Sequence, residues 1–295
     1  MKKWGLVIVL IFTAAFNPAF LLKKDSKKIV LVLGSGGSKG LAHVGVIEEL
    51  EKLGVVPDVI IGCSSGAIIG ALYAQHLDIA KVKELLIDMK YDDLVDFTPF
   101  EKCAVSRRGK VEKFLKKNLT ATDFSSLKRK FIAVATDLHK GEPVYFEKGD
   151  LHAAVLASSA LPGLFSPYQI GDHLYVDGGV SDPLPTHFAH NMKNVIVIAS
   201  DISPDLDGFD AGNLPQVIRK SFEVIYKRLA YYSRSEADIL LQMNFIDDDS
   251  PIADKANHEV YQKGKSVVQK HSKEILKTIS MSNGTLFKQV SSSTP

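Results

Sequence analysis

The chain has 295 residues, of which 45% are hydrophobic and 24% are charged, and only one apolar stretch is long enough to reach across a bilayer. This composition excludes a disordered, collagen-like or coiled-coil chain and a multi-span membrane protein. The 36 Lys and Arg residues nearly balance the 34 Asp and Glu residues, so no nucleic-acid partner is expected. The two cysteines, Cys63 and Cys103, cannot form a disulfide framework.

The amino terminus has the composition of a targeting segment. Lys2 and Lys3 precede an apolar run that begins at Trp4 and stays mostly apolar to Leu22. A short positive segment followed by a dozen apolar residues is typical of a secretory signal peptide. The 19 residues from Trp4 to Leu22 also approach the span of an uncleaved membrane anchor. Residues 1–22 therefore predict an exported or membrane-associated protein, with cleavage left open.

The rest of the chain predicts one α/β domain. Short β-branched runs alternate with helical patterns over 28–200, which favours βαβ units and a mainly parallel sheet covered on both faces. The predicted strands are Ile29–Leu33, Val59–Ile61, Phe131–Thr136, Val144–Glu147 and Val195–Ser200, and the first helices are Leu41–Leu53, closed by Gly54, and Ala67–Gln75. Residues 201–279 are expected to be helical, over 216–242 and 255–278. Residues 280–295 are rich in Ser and Thr and predict a disordered tail.

A glycine-rich segment, Gly34-Ser35-Gly36-Gly37-Ser38-Lys39-Gly40, lies directly between the first predicted strand and the first predicted helix. Glycines let successive amides point into one concavity at the positive end of a helix, where a phosphate or a developing oxyanion is stabilised. The spacing does not match a phosphate-binding loop, because Lys39 precedes Gly40 instead of preceding Ser or Thr. A dinucleotide fingerprint would need a third glycine at position 39.

The second predicted strand leads into Gly62-Cys63-Ser64-Ser65-Gly66, and a helical pattern follows. This is the G-x-S-x-G elbow in its strand–turn–helix context, and it predicts Ser64 as a nucleophile. Gly62 and Gly66 are required at its flanks because the strained turn brings the serine backbone against its neighbours. The alternative is a serine-rich turn that only caps a helix. Because both glycine-containing turns belong to one βαβ unit, oxyanion donors are expected beside Ser64.

The best candidate for the base that activates Ser64 is Asp177, which precedes Gly178 and Gly179 after the apolar run 174–176. An acid before two glycines fits a tight turn that brings a carboxylate close to another backbone. Asp-Gly also initiates ordinary turns, and the local sequence does not separate the two possibilities. Four histidines follow Asp177, so a Ser…Asp…His order is also open: His187, His190, His258 and His271.

Together these segments resemble the patatin-like phospholipase family, in particular its bacterial and neuropathy-target-esterase branch. The similarity runs through 33–46, 62–66, 135–138, 157–163 and 177–179 and covers about residues 28–200. It implies a three-layer α/β/α sandwich with a mainly parallel sheet and a Ser–Asp dyad without a catalytic histidine.

In that resemblance Ser64 attacks the ester carbonyl and Asp177 is the general base. The oxyanion hole is formed by amides around Gly36, Gly37 and Ser38, with Lys39 in a position usually held by Arg or Lys. Ser35 interrupts the glycine triplet of the commonest family loop, which puts the tightness of the loop in question. His43 matches a histidine of the following helix, where packing and hydrogen bonding are its expected role.

The substrate side is less specific. Between Glu101 and Lys130, ten Lys or Arg residues face three acidic residues, a net of +7. Such a segment can hold a protein on anionic lipid or be the solvated face of a helix. Leu161, Leu164 and Phe165 can line an acyl pocket or pack in the core. No metal or cofactor is expected, because Asp92, Asp93, Asp96 and Asp247–Asp249 lack the geometry of a metal-binding loop.

The sequence thus predicts a lipid acyl hydrolase of the phospholipase A or lysophospholipase type that works through an acyl-Ser64 intermediate near a membrane. A general carboxylesterase or an acyltransferase on the same dyad is one alternative. A catalytically silent lipid-binding protein is another, although the intact Ser64, Asp177 and glycine-rich loop speak against it. A Ser-His-Asp hydrolase would depend on one of the histidines.

Overall fold

The computed structural model describes residues 26–98, 103–206, 212, 214–245 and 254–283. The strands are β1 (Lys28–Leu33), β2 (Val59–Cys63), β3 (Asp96–Phe97), β4 (Ser106–Arg107), β5 (Lys130–Asp137), β6 (Glu142–Phe146), β7 (Tyr168–Ile170), β8 (His173–Asp177), β9 (Val195–Asp201) and β10 (Ile239–Gln242). The helices are α1 (Leu41–Lys52), α2 (Ser65–His76), α3 (Ile79–Leu86), α4 (Gly109–Asn118), α5 (Leu151–Ser158), α6 (Thr186–His190), α7 (Leu214–Ser233) and α8 (Asp254–Asn283).

A mixed sheet forms the centre of the molecule, in the order β10-β9-β1-β2-β5-β8-β7, with β6 also pairing with β5. The strands from β10 to β5 are parallel, while β6, β7 and β8 join by antiparallel pairing. The carboxyl ends of β1 and β2 therefore lie side by side at one edge of the sheet. The loop after β1 and the elbow after β2 meet there.

Both faces of the sheet are buried. In β1, Leu31 and Leu33 pack into one apolar cluster together with residues of α1, α2 and α8, whereas Val30 and Val32 pack into a second cluster on the opposite face. This alternation follows from the two-residue period of a strand. The helices on either side complete three layers, and the predicted α/β/α architecture with a mainly parallel sheet is confirmed.

The predicted strands and early helices occur within a few residues of their expected bounds, and Gly54 ends α1 at a φ of +74°. The predicted helix over 216–242 is wrong at its end, because α7 stops at Ser233 and Ile239–Gln242 forms β10. A run of three apolar residues is compatible with either a strand or a helix. It forms a strand here because it pairs with β9. Within the C-terminal part, 201–279, the expectation of helical structure is therefore wrong for β10.

The structure tests only part of what was predicted for the two ends of the chain. Helix α8 continues through Asn283, so the disordered tail predicted from Ser280 is wrong for residues 280–283, and residues 284–295 lie outside the described residues. The predicted signal or anchor, residues 1–22, also lies outside them. Within the described ranges, no helix combines the length and the apolar character that crossing a bilayer requires.

Candidate active site

Ser64 occupies the turn between β2 and α2, as predicted. Its backbone has φ 58° and ψ −121°, a combination that non-glycine residues rarely adopt and that stores strain. The turn presents the side chain at the amino end of α2, although only 8% of the residue is exposed. This is the conformation of a nucleophile elbow.

The two glycines of the elbow are required by close packing. A β-carbon at Gly62 would lie 2.4 Å from the carbonyl oxygen of Gly66, and one at Gly66 would lie 2.3 Å from the carbonyl oxygen of Leu33. Both distances are too short for any side chain. The absence of side chains at these two positions lets α2 begin directly against the end of β1.

Ser64 and Asp177 form a hydrogen-bonded pair. The Ser64 hydroxyl donates to Oδ2 of Asp177 over 2.5 Å, and Oδ1 of Asp177 accepts from the Gly179 amide over 2.8 Å. Asp177 ends β8 and is fully buried, and its backbone is fixed by hydrogen bonds to Ala160 and Thr136. Both carboxylate oxygens therefore have donors, and one donor is the Ser64 hydroxyl.

Burial controls the ionisation of Asp177. The loss of solvent raises the pKa of its carboxyl group to about 6, although hydrogen bonding by Ser64 and Gly179 and the nearby hydroxyl of Tyr226 oppose this rise. A carboxylate with a pKa near 6 is ionised at neutral pH and is still basic enough to accept a proton. Among the histidines in the described chain, none is hydrogen-bonded to Ser64 or Asp177.

The glycine-rich loop follows β1 and packs against the elbow, where Cβ of Ser65 lies 2.8 Å from the position that a β-carbon of Gly40 would take. Gly37 has φ +58°. The Lys39 amide donates to the carbonyl of Gly36, and its ammonium group lies 5.8 Å from the ring centre of Phe245. Within the described residues, the amides of Gly36, Gly37 and Ser38 donate to no carbonyl, so they can donate to a bound group.

His43 holds the start of this loop. Its Nε2 lies 2.9 Å from the carbonyl oxygen of Gly34 and its Nδ1 lies 2.8 Å from the Ser200 hydroxyl. Because a carbonyl only accepts, Nε2 carries the proton and Nδ1 accepts from Ser200. Complete burial lowers the pKa of His43 to about 4. The neutral imidazole therefore connects the loop to β9, in the packing role predicted for it.

Comparison with known proteins identifies the family. The model of the patatin-like phospholipase family matches residues 31–190, which is more than half of the chain. The chain is a member of the patatin-like phospholipase family. Membership agrees with the resemblance of its motifs.

Relatives of this patatin-like protein include uncharacterised NTE family proteins. One from Mycobacterium tuberculosis is 34% identical over 192 residues, which is 64% of this chain and 51% of the relative. The chain therefore spans about half the length of that relative. A protein named lysophospholipase nte1, from Aspergillus fumigatus, is 29% identical over 197 residues, which is 65% of this chain and 12% of that protein.

A solved structure shares the fold. The crystal structure of VipD from Legionella pneumophila aligns with a TM-score of 0.53 and 14% sequence identity, over 83% of this chain and 67% of that one. At this identity the likeness concerns the patatin-like fold alone.

Ser158 is a residue of the patatin-like site that the sequence reasoning missed. Its buried hydroxyl accepts from the Ser64 amide over 3.0 Å and donates to the carbonyl of Val134 over 2.6 Å. It thus links the strained turn to β5. The segment 157–163 contributed to the family resemblance, but nothing in it indicated that Ser158 reaches the elbow from the end of α5.

Tyr226 of α7 was also missed. Its ring occupies the space beside Gly179, where a β-carbon would lie 2.6 Å from the ring carbon Cζ. Its buried hydroxyl makes no well-formed hydrogen bond among the described residues. It faces Asp177 closely enough to help lower the pKa of that carboxyl, while burial and the carboxylate raise the pKa of Tyr226 well above its usual value. Gly178, the first of the two glycines after Asp177, lies against the Val134 carbonyl.

Of the three residues considered for an acyl pocket, two support the alternative of core packing. Phe165 is buried in the core and Leu164 packs against it. Along the basic segment, α4 exposes Lys113, Lys116 and Lys117 and buries Val111 and Leu115, which agrees with a solvated helix face. Within the described ranges, one cluster has atoms placed to hold a metal ion: Asp137, His139 and His173.

Proposed function

We propose that the protein hydrolyses carboxylic esters of phospholipids or lysophospholipids, with Ser64 as the nucleophile and Asp177 as the general base. The observation that carries the proposal is the 2.5 Å hydrogen bond from the Ser64 hydroxyl to the buried Asp177 carboxylate. A serine hydroxyl needs an adjacent base to become nucleophilic. In this site the base touches the hydroxyl directly.

The reaction proceeds in two halves. Oγ of Ser64 bonds to the ester carbonyl carbon while its proton passes to Oδ2 of Asp177, and the carbonyl oxygen becomes an oxyanion. When the intermediate collapses, the bond to the leaving alcohol breaks and Asp177 returns the proton to that alcohol. A water molecule then attacks the acyl-Ser64 ester, gives its proton to Asp177 and releases the fatty acid, while Ser64 regains its proton.

The glycine-rich loop supports this chemistry. Its free amides at Gly36, Gly37 and Ser38 lie beside the elbow, because the loop packs directly on Ser65. Fixed amide donors stabilise an oxyanion without reorganising, and losing one such donor typically costs about 10²–10³ in rate. His43 and Ser200 keep the first residue of the loop in place.

A cavity next to the glycine-rich loop supports the proposal that the substrate is a lipid. It has a volume of about 130 Å³ and begins at Gly37, Ser38 and Ser65. Its walls are mainly apolar and consist of Leu41, Ile68, Ile69, Leu86, Met89 and Leu94, with Lys90 and Asn257 as polar members. An apolar cavity at the oxyanion loop suits the hydrocarbon chain of an ester. We assign it to the acyl group.

The exposed apolar side of helix α7 supports the proposal that the protein acts at a membrane surface. Apolar residues on its outer side are 40–70% exposed: Leu214, Val217, Ile218, Val224, Ile225, Tyr231 and Tyr232. The same helix reaches the active site through Tyr226, and Ile218 lies 3.8 Å from the position of a β-carbon on Gly163. An amphipathic helix with such a face binds in the interfacial region of a bilayer, which would bring the site to its substrate.

The test is the release of fatty acid from phosphatidylcholine and lysophosphatidylcholine vesicles, measured by mass spectrometry. Ser64→Ala should lower the rate by about 10⁴-fold or more. Ser159→Ala is the matched control, because among the described residues that hydroxyl bonds only within its own helix turn. Hydrolysis of short soluble esters alone would favour a general carboxylesterase, and acyl transfer to an added alcohol would favour an acyltransferase. Lipid binding without any turnover would refute the hydrolase.

A further inference from the structure

Asp137, His139 and His173 come together where β5 and β8 pair. Nδ1 of His173 lies 2.9 Å from Oδ2 of Asp137, and Nδ1 of His139 lies 3.9 Å from Oδ1 of the same carboxylate. The three ligand atoms all lie within 4.8 Å of one another. The carboxylate is buried while both imidazoles are exposed, so the open side of the cluster faces solvent.

The carboxylate of this cluster is fixed by the chain around it. Oδ1 of Asp137 accepts from the amides of His139 and Lys140 over 2.9 and 3.2 Å, which forms the turn between β5 and β6. That turn places His139 above the carboxylate. His173 is fixed by a different element, because it begins β8, where Tyr175 is paired with Asp137. The ligands are thus brought together by folding, 36 residues apart.

The donor set determines which ion it suits. Two imidazole nitrogens and one carboxylate oxygen are ligands of Zn²⁺, at about 2.0–2.2 Å each. Two ligands at those distances on one tetrahedral ion lie about 3.3–3.6 Å apart. Nδ1 of His173 and Oδ2 of Asp137 lie 2.9 Å apart, so a shift of about 0.4–0.7 Å brings the pair to that spacing. His139 needs only a rotation of an exposed side chain. Oxygen-seeking Mg²⁺ and Ca²⁺ do not match two imidazoles.

We propose that Asp137, His139 and His173 form a binding site for a divalent ion of the zinc class, with water in the remaining positions. The ion would join the β5–β6 turn to the start of β8, the strand that ends in the dyad residue Asp177. The site is separate from the proposed hydrolysis, in which no step uses a metal.

The chain contains a matched control for this site. His187 and His190 both lie on α6 near Glu236, at 3.9 Å from its two oxygens. These are also two exposed histidines facing one carboxylate, but both contacts are longer than a hydrogen bond, and in the described part of the chain no backbone amide donates to the Glu236 carboxylate. If exposed histidines alone bound the ion, this group would bind it as well.

The test is calorimetric titration of the full-length chain with ZnCl₂ and, separately, MgCl₂, after treatment with EDTA and without a polyhistidine tag. A Cys103→Ser background removes the exposed thiol as a competing ligand. We expect one Zn²⁺ per chain, no Mg²⁺ binding, and a Kd at least about tenfold weaker in His173→Gln and Asp137→Asn. The His187→Gln/His190→Gln variant should bind like the parent.

Two further readouts keep the outcome clear. Asp137→Asn retains an oxygen that can accept from the turn, and His173→Gln changes an exposed side chain, so both variants should fold; thermal unfolding without metal checks this. Saturating Zn²⁺ should raise the Tm of the parent and of the control but not of His173→Gln. No Zn²⁺ binding by the parent, unchanged binding in His173→Gln, or loss of binding in the control would overturn the proposal.

Discussion

Replacing Ser158 by alanine tests how the strained elbow is held. The Ser158 hydroxyl is fully buried, accepts from the Ser64 amide at 3.0 Å and donates to the Val134 carbonyl at 2.6 Å. Alanine removes both hydrogen bonds and adds no group that can replace them. The Ser64 amide then remains buried next to a strained residue without its acceptor.

The expected loss of stability follows from these contacts. A buried donor without a partner costs about 1–3 kcal/mol, and the lost hydrogen bond to Val134 costs about 0.5–1.5 kcal/mol. Together they lower the free energy of unfolding by about 1.5–4.5 kcal/mol, a large part of the roughly 5–15 kcal/mol of a typical domain. Because the turn also positions the nucleophile, the rate of active-site labelling should fall about ten- to hundredfold.

Urea denaturation measures the first effect and the rate of fluorophosphonate labelling measures the second. Ser159→Ala is the control, since the Ser159 hydroxyl bonds to Val155 and Leu156 within the same helix end and should change stability by less than about 0.5 kcal/mol. The m-value should stay constant, so that the shift in midpoint reports stability. Equal midpoints and equal labelling rates for the two variants would refute the assigned role of Ser158.

Three further predictions concern the dyad and its surroundings. The kcat/KM for ester hydrolysis should rise with pH through about 6, because Asp177 must be ionised to accept a proton and its pKa is raised to about 6; a rate that is flat from pH 5 to 8 would contradict this. Tyr226→Phe removes a group that lowers the pKa of Asp177, so the acidic limb of the same profile should move to higher pH, and a limb that stays in place would exclude the interaction. Gly66→Ala places a β-carbon 2.3 Å from the Leu33 carbonyl and should prevent soluble folding, whereas Gly109→Ala, which meets open space, should express and unfold like the parent.

The fold and the elbow at Ser64 were predictable because their signals are local. A strand, a Gly-x-Ser-x-Gly turn and a helix occupy one stretch of sequence, and the turn that exposes Ser64 needs the glycines found there. For Asp177 the two interpretations of Asp-Gly-Gly, an ordinary turn and a carboxylate that reaches Ser64, are compatible. One carboxylate oxygen accepts from Gly179 and forms the turn, while the other accepts from Ser64.

The features that were missed depend on contacts between distant segments. Ser158 and Tyr226 reach the dyad from α5 and α7, and no local pattern distinguishes them from other helix residues. Strand β10 was assigned to a helix because its short apolar run gains strand character only by pairing with β9. The cluster of Asp137, His139 and His173 likewise exists only through the pairing of β5 with β8.

The central claim is that Asp177 activates Ser64 without a histidine. Fluorophosphonate labelling of the wild type, Ser64→Ala, Asp177→Asn and Asp182→Asn tests it most directly. Asp182 is a matched control, because it is a largely buried acid that accepts from Tyr145 and does not contact Ser64. The account predicts labelling of the wild type and of Asp182→Asn, none in Ser64→Ala and a strongly reduced rate in Asp177→Asn. Undiminished labelling of Asp177→Asn would contradict it.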